Sequence, residues 1–323
     1  MRFAPIKLVP LLVALCAAPA SAQEWPTRPV SIVVPFAAGG PVDVVARIMA
    51  PRMAELIGQQ LIVDNIPGAG GMVGANRVAK GPPDGYAVLL GNQGTHTFSQ
   101  FLYKRPLYNA VSDFAAAGLV VSNSKMLVVR KDLPATNLNE FAAYAKLNGG
   151  RMQYGSAGSG SATHIACMLL GAKIGAEMTH VPYRSTTHAM QDVIAGRIDV
   201  VCDVISTALP QIRAGTVKAL ATLGTARSAV LPDLPTALEQ GFADVDAEGW
   251  NGFFFAKDTP ASIVQRFNAA TVQALALPSL RKQVADLGLF VPDDLSPGFH
   301  SALVARELAK WGPPIQAGGI SAD

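Results

Sequence analysis

Charged residues are scarce in this chain of 323 residues. They make up 15% of it, whereas soluble proteins average about 25%, and half of the residues are hydrophobic. A chain this apolar is not disordered, because disorder requires low hydrophobicity and high charge. Arg2 and Lys7 belong to an N-terminal leader, and without them 24 basic residues face 23 acidic ones, a net charge of +1. So small a charge excludes the electrostatic footprint of a nucleic-acid-binding protein.

The motifs of common enzyme and metal sites are also missing. No GxSxG surrounds Ser156, Ser159 or Ser161, and GxGxxG, GxxxxGK[ST], HExxH and CxxC do not occur. The histidines have no metal-ligand spacing: they are His96, His164, His180, His188 and His300. A secreted α/β enzyme is therefore a remote alternative, and we expect neither a metal nor a cofactor.

Cysteine is rare. Cys16 lies in the leader, which leaves Cys167 and Cys202 for the mature chain. Export permits a disulfide between them, and the alternative is a pair of buried thiols that pack as small apolar side chains. Because no spacing signature accompanies the pair, the sequence favours the buried thiols.

Residues 1–22 have the pattern of a secretory signal. Arg2 and Lys7 form a basic start, Leu8–Ala18 is largely apolar, and Ala20–Ala22 supplies the small residues of a cleavage site. An apolar run this short cannot span the ~30 Å core of a bilayer. We therefore expect an exported protein that begins near Gln23.

Strand-like and helix-like runs alternate along the mature chain. Val30–Pro35 is a β-branched run, and Val42–Leu56 has apolar residues at helical spacing. The alternation continues to residue 90 and starts again near residue 152, after a connecting stretch around Leu119–Arg130. This order predicts parallel sheets covered by helices, in two α/β units of about 120 residues each. We expect the helices at 261–277 and 297–311 to return to the first unit.

Glycine-rich loops run into helices at residues 35–43 and 155–164. Free N–H groups and about half a positive charge at a helix N-terminus hold a carboxylate without an arginine. In the first loop Pro41 suits the first helical turn. One such loop is more often a packing feature, but one in each unit indicates that the two face each other across a cleft. The sequence thus predicts a ligand with one or two carboxylates.

Asp43 follows the first loop and allows two interpretations. It can cap and stabilise its own helix, or it can select an amine or hydroxyl on the ligand. The sequence leaves both open.

Six segments give the chain a close resemblance to the periplasmic solute-binding proteins of tripartite tricarboxylate transporters, the Bug family. They are WPTRPVSIVVPFAAGGPVDVVAR (25–47), NIPGAGGMVGA (65–75), PPDGYAVLLGNQGTHT (82–97), YGSAGSGSATH (154–164), HVPYRS (180–185) and AKWG (309–312). The resemblance covers the whole mature chain. It implies a two-lobed α/β Venus-flytrap fold with two crossing strands, in which residues 23–124 and 247–323 form one lobe and residues 125–246 the other.

The resemblance also implies that the ligand carboxylate meets the two helix-start loops, a third loop after PDGYAVLL, and a few side chains. Carried over, the first lobe supplies Phe36, Ala37, Gly39, Gly40, Asp43, Gly94, Thr95 and His96. The second lobe supplies Ala157, Gly158, Ser159, Gly160, Ser161, Thr163, His164, Tyr183, Arg184 and Asp203. For His96 and His164, a neutral ring bonded to a neighbouring loop is the favoured state.

Three residues depart from the family pattern. Ile66 stands where the family commonly has Arg, Ser185 where it has Gly, and Cys202 where it often has a large apolar residue. Ser185 and Cys202 leave the pocket's shape and the identity of the acid open.

The implied function is capture of a small organic carboxylate, or an amino-acid-like ligand, in the periplasm for integral membrane transporter subunits. The alternative is a co-receptor that docks on a sensor kinase. We expect a monomer that binds no nucleic acid.

Overall fold

The computed structural model describes residues 25–317 except 244 and 246, so the leader predicted over residues 1–22 lies outside the described residues. The strands are β1 Val30–Val34, β2 Leu61–Asn65, β3 Ala87–Asn92, β4 Phe114–Asn123, β5 Lys125–Arg130, β6 Gln153–Ser156, β7 Thr179–Pro182, β8 Val200–Val204, β9 Val217–Thr222 and β10 Gly249–Ala256. The helices are α1 Pro41–Ile57, α2 Met72–Ala79, α3 Ser99–Leu102, α4 Leu138–Asn148, α5 Ala162–Ile174, α6 Thr186–Ile194, α7 Ile205–Arg213, α8 Ala261–Ala276, α9 Pro278–Asp286 and α10 Pro297–Ala317.

These elements form two five-stranded sheets. The first has the order β2-β1-β3-β10-β4 and the second the order β7-β6-β8-β5-β9. In each sheet four strands run in the same direction, and one crossing strand, β10 in the first sheet and β5 in the second, runs antiparallel to both of its neighbours. The predicted two-lobed α/β fold is confirmed.

The chain crosses between the sheets twice. Strand β4 in the first sheet passes directly into β5 in the second, with Ser124 alone between them. The return runs from β9 in the second sheet to β10 in the first. The stretch around Leu119–Arg130 therefore does connect the two units, and it does so as two buried strands that pair with different sheets.

Helices cover both faces of each sheet. On the first sheet, α1 and α8 bury Met49 and Phe267 on one face, and α2 and α10 cover the other. On the second sheet, Phe141 of α4 and Leu170 of α5 lie on one face, whereas α6 and α7 cover the other with residues such as Val193. No helix among the described residues is long and apolar enough to cross a membrane. The two sheets therefore carry separate cores, and the strand ends meet between them.

Cys167 and Cys202 form a disulfide, which corrects the expectation of two free buried thiols. Cys167 lies on α5 and Cys202 on β8, and the packing of that helix on the sheet brings their Cα atoms to 5.3 Å. Both residues are completely buried. The bond thus ties the helix that follows the second glycine-rich loop to the strand beneath it.

We predict that losing this bond lowers the free energy of unfolding. The cysteines are 35 residues apart, and closing a loop of that length in the unfolded chain accounts for about 4 kcal/mol. Urea unfolding with and without reductant measures the effect, and a Cys167→Ala/Cys202→Ala variant is the matched control because reductant has nothing to cleave in it. Equal stability of the wild-type protein in both conditions would contradict the bond's role.

Candidate functional site

A narrow cavity with a volume of about 40 Å³ lies between the lobes. Two groups of residues form most of its wall. The helix wall comes from the first turns and N-caps of α1, α5 and α6: Pro41, Val42, Ser161, Ala162, Thr163, Ser185 and Thr186. The hinge wall comes from the crossing strands: Asn123, Lys125, Gly249, Trp250 and Asn251. Phe36, Asn92, Gln93, Ala157 and Val204 complete the lining.

Three helix N-termini therefore converge on one small space. Helix α1 has Pro at its first position, and α5 and α6 are capped by Ser161 and Ser185, which accept from the amides of His164 and Thr187. The first-turn amides of each helix have no acceptor within the helix, and the partial positive charges of the three ends add. The helix wall is suited to an anion.

The second glycine-rich loop holds its shape through its own hydroxyls. The amide of Ala157 donates to Thr163 Oγ1 at 3.0 Å, and the hydroxyls of Ser161 and Thr163 lie 3.1 Å apart. Both hydroxyls are buried in the cavity wall. Of the ten residues predicted in the second lobe, Ala157, Ser161 and Thr163 line the cavity.

Asp43 stabilises the first loop rather than lining the cavity. Its carboxylate accepts from the amide of Gly39 at 2.8 Å, from Arg47 Nε at 2.8 Å and from Asn65 Nδ2 at 2.9 Å. Burial alone would raise the pKa of this carboxyl, but the hydrogen bonds, led by that from Arg47, hold it below its ordinary value. The geometry favours the capping interpretation of Asp43 over ligand selection.

The third predicted loop reaches the cavity through different residues. Asn92 and Gln93 line it, whereas Gly94, Thr95 and His96 do not. Thr95 bonds back to Asn92, and the ring of His96 stacks on Phe254 at 3.6 Å inside the first lobe. Burial lowers the pKa of His96 well below its usual value, so the ring is a neutral core side chain.

Other predicted residues join the lobes outside the cavity. Ala37 donates its amide to the carbonyl oxygen of Arg184 at 3.1 Å, and Thr187 Oγ1 donates to the carbonyl oxygen of Gly39 at 2.8 Å. Tyr103 of the first lobe donates to the carbonyl oxygen of Ser159 at 2.8 Å. The lobes thus touch through hydrogen bonds to main-chain atoms, and the cavity lies between them.

A wider groove lies at the outer side of this contact. Gly158, Ser159, Tyr183 and Arg184 line it together with Gly70 of the first lobe. Gly40 lies at the contact itself, where a Cβ would stand 2.4 Å from Ser185 Oγ.

Asp203 lies beneath the cavity, completely buried. Its carboxylate accepts from the amide of Val204 at 2.8 Å and from Thr207 Oγ1 at 2.9 Å. Burial raises its pKa to about 6, partly offset by these hydrogen bonds. It holds the start of α7 rather than lining the cavity.

Stacked histidines support the second loop from behind. The rings of His164 and His180 lie 4.0 Å apart, His164 Nδ1 accepts from the amide of Gly160 at 3.2 Å, and His180 Nε2 is 2.6 Å from Ser156 Oγ. Burial lowers the pKa of His164 to about 4, and burial together with the neighbouring His164 lowers that of His180 to about 3. Both rings are neutral at pH 7, as expected for His164. Among the described residues, no group of three or more metal-ligating side chains forms.

Sequence reasoning missed the hinge wall. Asn123 and Lys125 fall in the stretch expected to be a connection, and Asn251 falls in β10, which is apolar along most of its length. The sequence feature that could have identified the hinge wall was the presence of a lysine and two asparagines inside otherwise apolar runs. Thr186 was missed because the start of α6 has one serine and no glycine.

Comparison with known proteins identifies the fold and the family. The family model described as "Tripartite tricarboxylate transporter family receptor" matches residues 45–320. A protein of Agrobacterium vitis, "UPF0065 protein in the TAR-I ttuE-ttuC' intergenic region", is 41% identical over 270 residues, which cover 83% of this chain and 78% of that protein.

Two solved structures are also similar along most of the chain. The periplasmic binding protein BugD has a TM-score of 0.89 and 35% identity, with 92% of this chain and 99% of that one covered. MatC from Rhodopseudomonas palustris, solved with bound malate, has a TM-score of 0.87 and 36% identity, with 90% of this chain and 99% of that one covered.

We predict that the protein loses stability as the pH falls from 7 to 5. Unfolded histidines bind protons near pH 6.5, whereas His164 and His180 in the folded protein bind them near pH 4 and 3. The unfolded state therefore takes up more protons over this range, which lowers the free energy of unfolding. Buried His96 and His300 act in the same direction, and Asp203, whose pKa is raised, opposes them.

Urea unfolding at pH 7, 6 and 5 isolates the contribution of the stacked pair. His180→Gln should flatten the pH dependence, because it removes one buried proton acceptor. His188→Gln, at an exposed histidine, is the matched control and should leave the dependence as it is. An unchanged slope in His180→Gln would show that the pair does not control it.

Proposed function

Because the chain belongs to the tripartite tricarboxylate transporter receptor family, we propose that it captures a small organic carboxylate in the periplasm and presents it to membrane transporter subunits. The family and its solved members are binding proteins and not enzymes. The cavity between the lobes is the proposed ligand site.

The convergence of three helix N-termini carries this proposal. Helix α1 comes from the first lobe, and α5 and α6 come from the second. A carboxylate there accepts hydrogen bonds from first-turn amides and is stabilised by the helix dipoles. Of the described residues that line the cavity, none is acidic, so nothing in its wall repels an anion.

Closure follows from the same arrangement. A ligand that touches α1 and α5 together makes its full set of contacts only when the lobes meet, so it binds the closed state more tightly and shifts the population toward it. The interlobe hydrogen bonds of Ala37 and Thr187 form in this closed state. The closed lobes form a joint surface that a membrane partner can recognise, and the open lobes do not form it.

The ligand class is supported by a relative. MatC, 36% identical to this chain, was solved with malate, a four-carbon hydroxy-dicarboxylate.

A thermal-shift panel on residues 23–323 tests the proposal. The panel contains dicarboxylates and tricarboxylates, amino acids and aromatic carboxylates, each with the corresponding amide, which lacks the carboxylate charge, as its control. A ligand at 100 times its Kd stabilises the native state by about 2.7 kcal/mol, so at least one acid should raise the melting temperature while its amide does not. The absence of any shift across the carboxylates, or turnover of a bound acid, would reject the proposal.

We predict that Gly40→Ala weakens binding by obstructing closure. The backbone at Gly40 has φ −78° and ψ 170°, which alanine adopts freely, but its Cβ would lie 2.4 Å from Ser185 Oγ in the other lobe. Overpacking of this kind costs about 1–3 kcal/mol, which corresponds to roughly 5- to 150-fold in affinity. Titration calorimetry with the acid that gives the largest thermal shift measures it.

The double variant Gly40→Ala/Ser185→Gly is the control for this clash. Removing the hydroxyl should restore most of the affinity, and Ser185→Gly alone should bind nearly as the wild-type protein does, because glycine is a tolerable N-cap. Failure of the second change to rescue the first would show that Gly40 acts in some way other than closure.

A further inference from the structure

Gln93 places a buried amide in the cavity wall. It directly follows β3, it is 5% exposed, and it lines the cavity. Its side-chain nitrogen Nε2 donates a hydrogen bond to Glu307 Oε2 on α10, the helix that covers this face of the first sheet. One end of the amide is therefore bonded inside the first lobe.

Glu307 fixes which end of this amide faces the cavity. A carboxylate oxygen accepts hydrogen bonds and does not donate them, so only the nitrogen of Gln93 can face it. Trp311 Nε1 donates to the same Oε2 at 3.1 Å and holds the carboxylate in place. The oxygen of Gln93 is thus left to face away from α10.

This oxygen lies beside the hinge wall. Gln93 Oε1 is 3.7 Å from the place that a Cβ would take on Gly249, which also lines the cavity. The side-chain oxygens of Asn92 and Asn251 already accept hydrogen bonds, from a main-chain amide at 3.1 Å and from Asn123 Nδ2 at 3.3 Å. Within the part of the chain that the structure describes, no hydrogen bond to Gln93 Oε1 is formed. Because a buried acceptor without a donor is unfavourable, a ligand that supplies the donor gains affinity.

We propose that Gln93, held by Glu307, selects acids that carry a hydroxyl group over unsubstituted acids of the same length. The inference rests on the proposed function. The helix wall holds a carboxylate, and a hydroxyl on the same carbon chain donates to Gln93 Oε1. A site that hydrogen-bonds a ligand hydroxyl discriminates against analogues that lack it, because its own polar group is then left unpaired.

Two further observations favour a hydroxyl as the donor. An ammonium group would also donate, but the positive ends of three helices disfavour a cation in this cavity. Asp43, the other group that could have selected a donor on the ligand, is occupied by hydrogen bonds from Gly39, Arg47 and Asn65.

A purely structural role for Gln93 makes a different prediction. Its bond to Glu307 ties the loop after β3 to α10, and Lys125 Nζ lies 2.7 Å from the same point on Gly249. If the amide only joined the helix or faced the lysine, its replacement would reduce stability and leave the preference for hydroxy acids unchanged. The ratio of the two affinities, rather than stability, therefore separates the two roles.

Titration calorimetry on the unmodified protein is the first experiment. The probes are three pairs of equal length: lactate and propionate, malate and succinate, and 2-hydroxyglutarate and glutarate. In the best-bound pair we expect the hydroxy acid to bind roughly 5-fold or more tightly, the effect of one hydrogen bond to an otherwise unpaired buried acceptor. Equal or tighter binding of the unsubstituted acid, or binding of other carboxylates but none of these hydroxy acids, would overturn the inference and leave the proposed function intact. Failure of every carboxylate to bind would reject the proposed function itself.

A variant at position 93 assigns the preference to this amide. Gln93→Met keeps a side chain of similar length without the acceptor, and Gln273→Met, at an exposed glutamine of α8, is the matched control. Gln93→Met should bind the hydroxy acid roughly 5-fold or more weakly and the unsubstituted acid nearly as before, whereas the control should keep the wild-type ratio. A hydroxy-acid preference that persists in folded Gln93→Met would overturn the inference.

Variants at position 307 test the positioning role of the carboxylate, which does not touch the ligand. Glu307→Gln still offers one oxygen to Gln93 and Trp311, and it should keep the preference. Glu307→Met offers no acceptor, so the amide of Gln93 can turn and the preference should fall toward that of Gln93→Met. The same ratio of affinities in both folded Glu307 variants would show that Glu307 does not orient the amide.

Discussion

Close approach of main-chain atoms across the cleft is the constraint on which the structure depends. The amides at the starts of α1 and α5 reach one small ligand only if their loops nearly touch, and side chains on those loops would keep them apart. A Cβ on Gly70 would lie 2.1 Å from the carbonyl oxygen of Ser159, and one on Gly94 would lie 2.8 Å from the amide of Ala162. Glycine at positions 70 and 94, in two first-lobe loops that face the start of α5, is thus required by lobe closure.

The features of the structure that have a local sequence pattern are the ones that could be predicted. The loops at 35–43 and 155–164 have a local signature, glycine followed by a helix start, and their placement at the cleft follows from parallel strand–helix topology. The two α/β units could be predicted as well, because β-branched runs and helical spacing are local patterns.

The hinge wall had no such signature. Lys125 and Asn251 stand on strands whose partners are distant in sequence, and only the pairing of β5 with β8 and of β10 with β4 places them beside the cavity. The family resemblance implies that His96 belongs to the site, but its ring turns into the core and stacks on Phe254. The disulfide was missed because a separation of 35 residues has no pattern, whereas the helix-on-sheet packing that brings the two Cα atoms to 5.3 Å is purely tertiary.

Scarcity of charge has a specific consequence for recognition. Three helix termini supply partial charges that bind a carboxylate of almost any acid, since amides recognise only the group they hold. The side chains of the hinge wall, together with Asn92 and Gln93, are then left to distinguish one acid from another by the rest of the ligand.

The position of the hinge wall also separates capture from closure. Its residues belong to β4, β5 and β10, the strands at which the chain crosses between the lobes, so lobe opening should separate them less than the residues of the helix wall. The helix wall is different, because α1 lies in one lobe and α5 and α6 in the other. A ligand that first binds the hinge wall gains the remaining amide contacts only as the lobes come together, and that gain is the differential affinity that drives closure. An acid too short to reach from the hinge wall to the helix wall therefore binds without closing the protein.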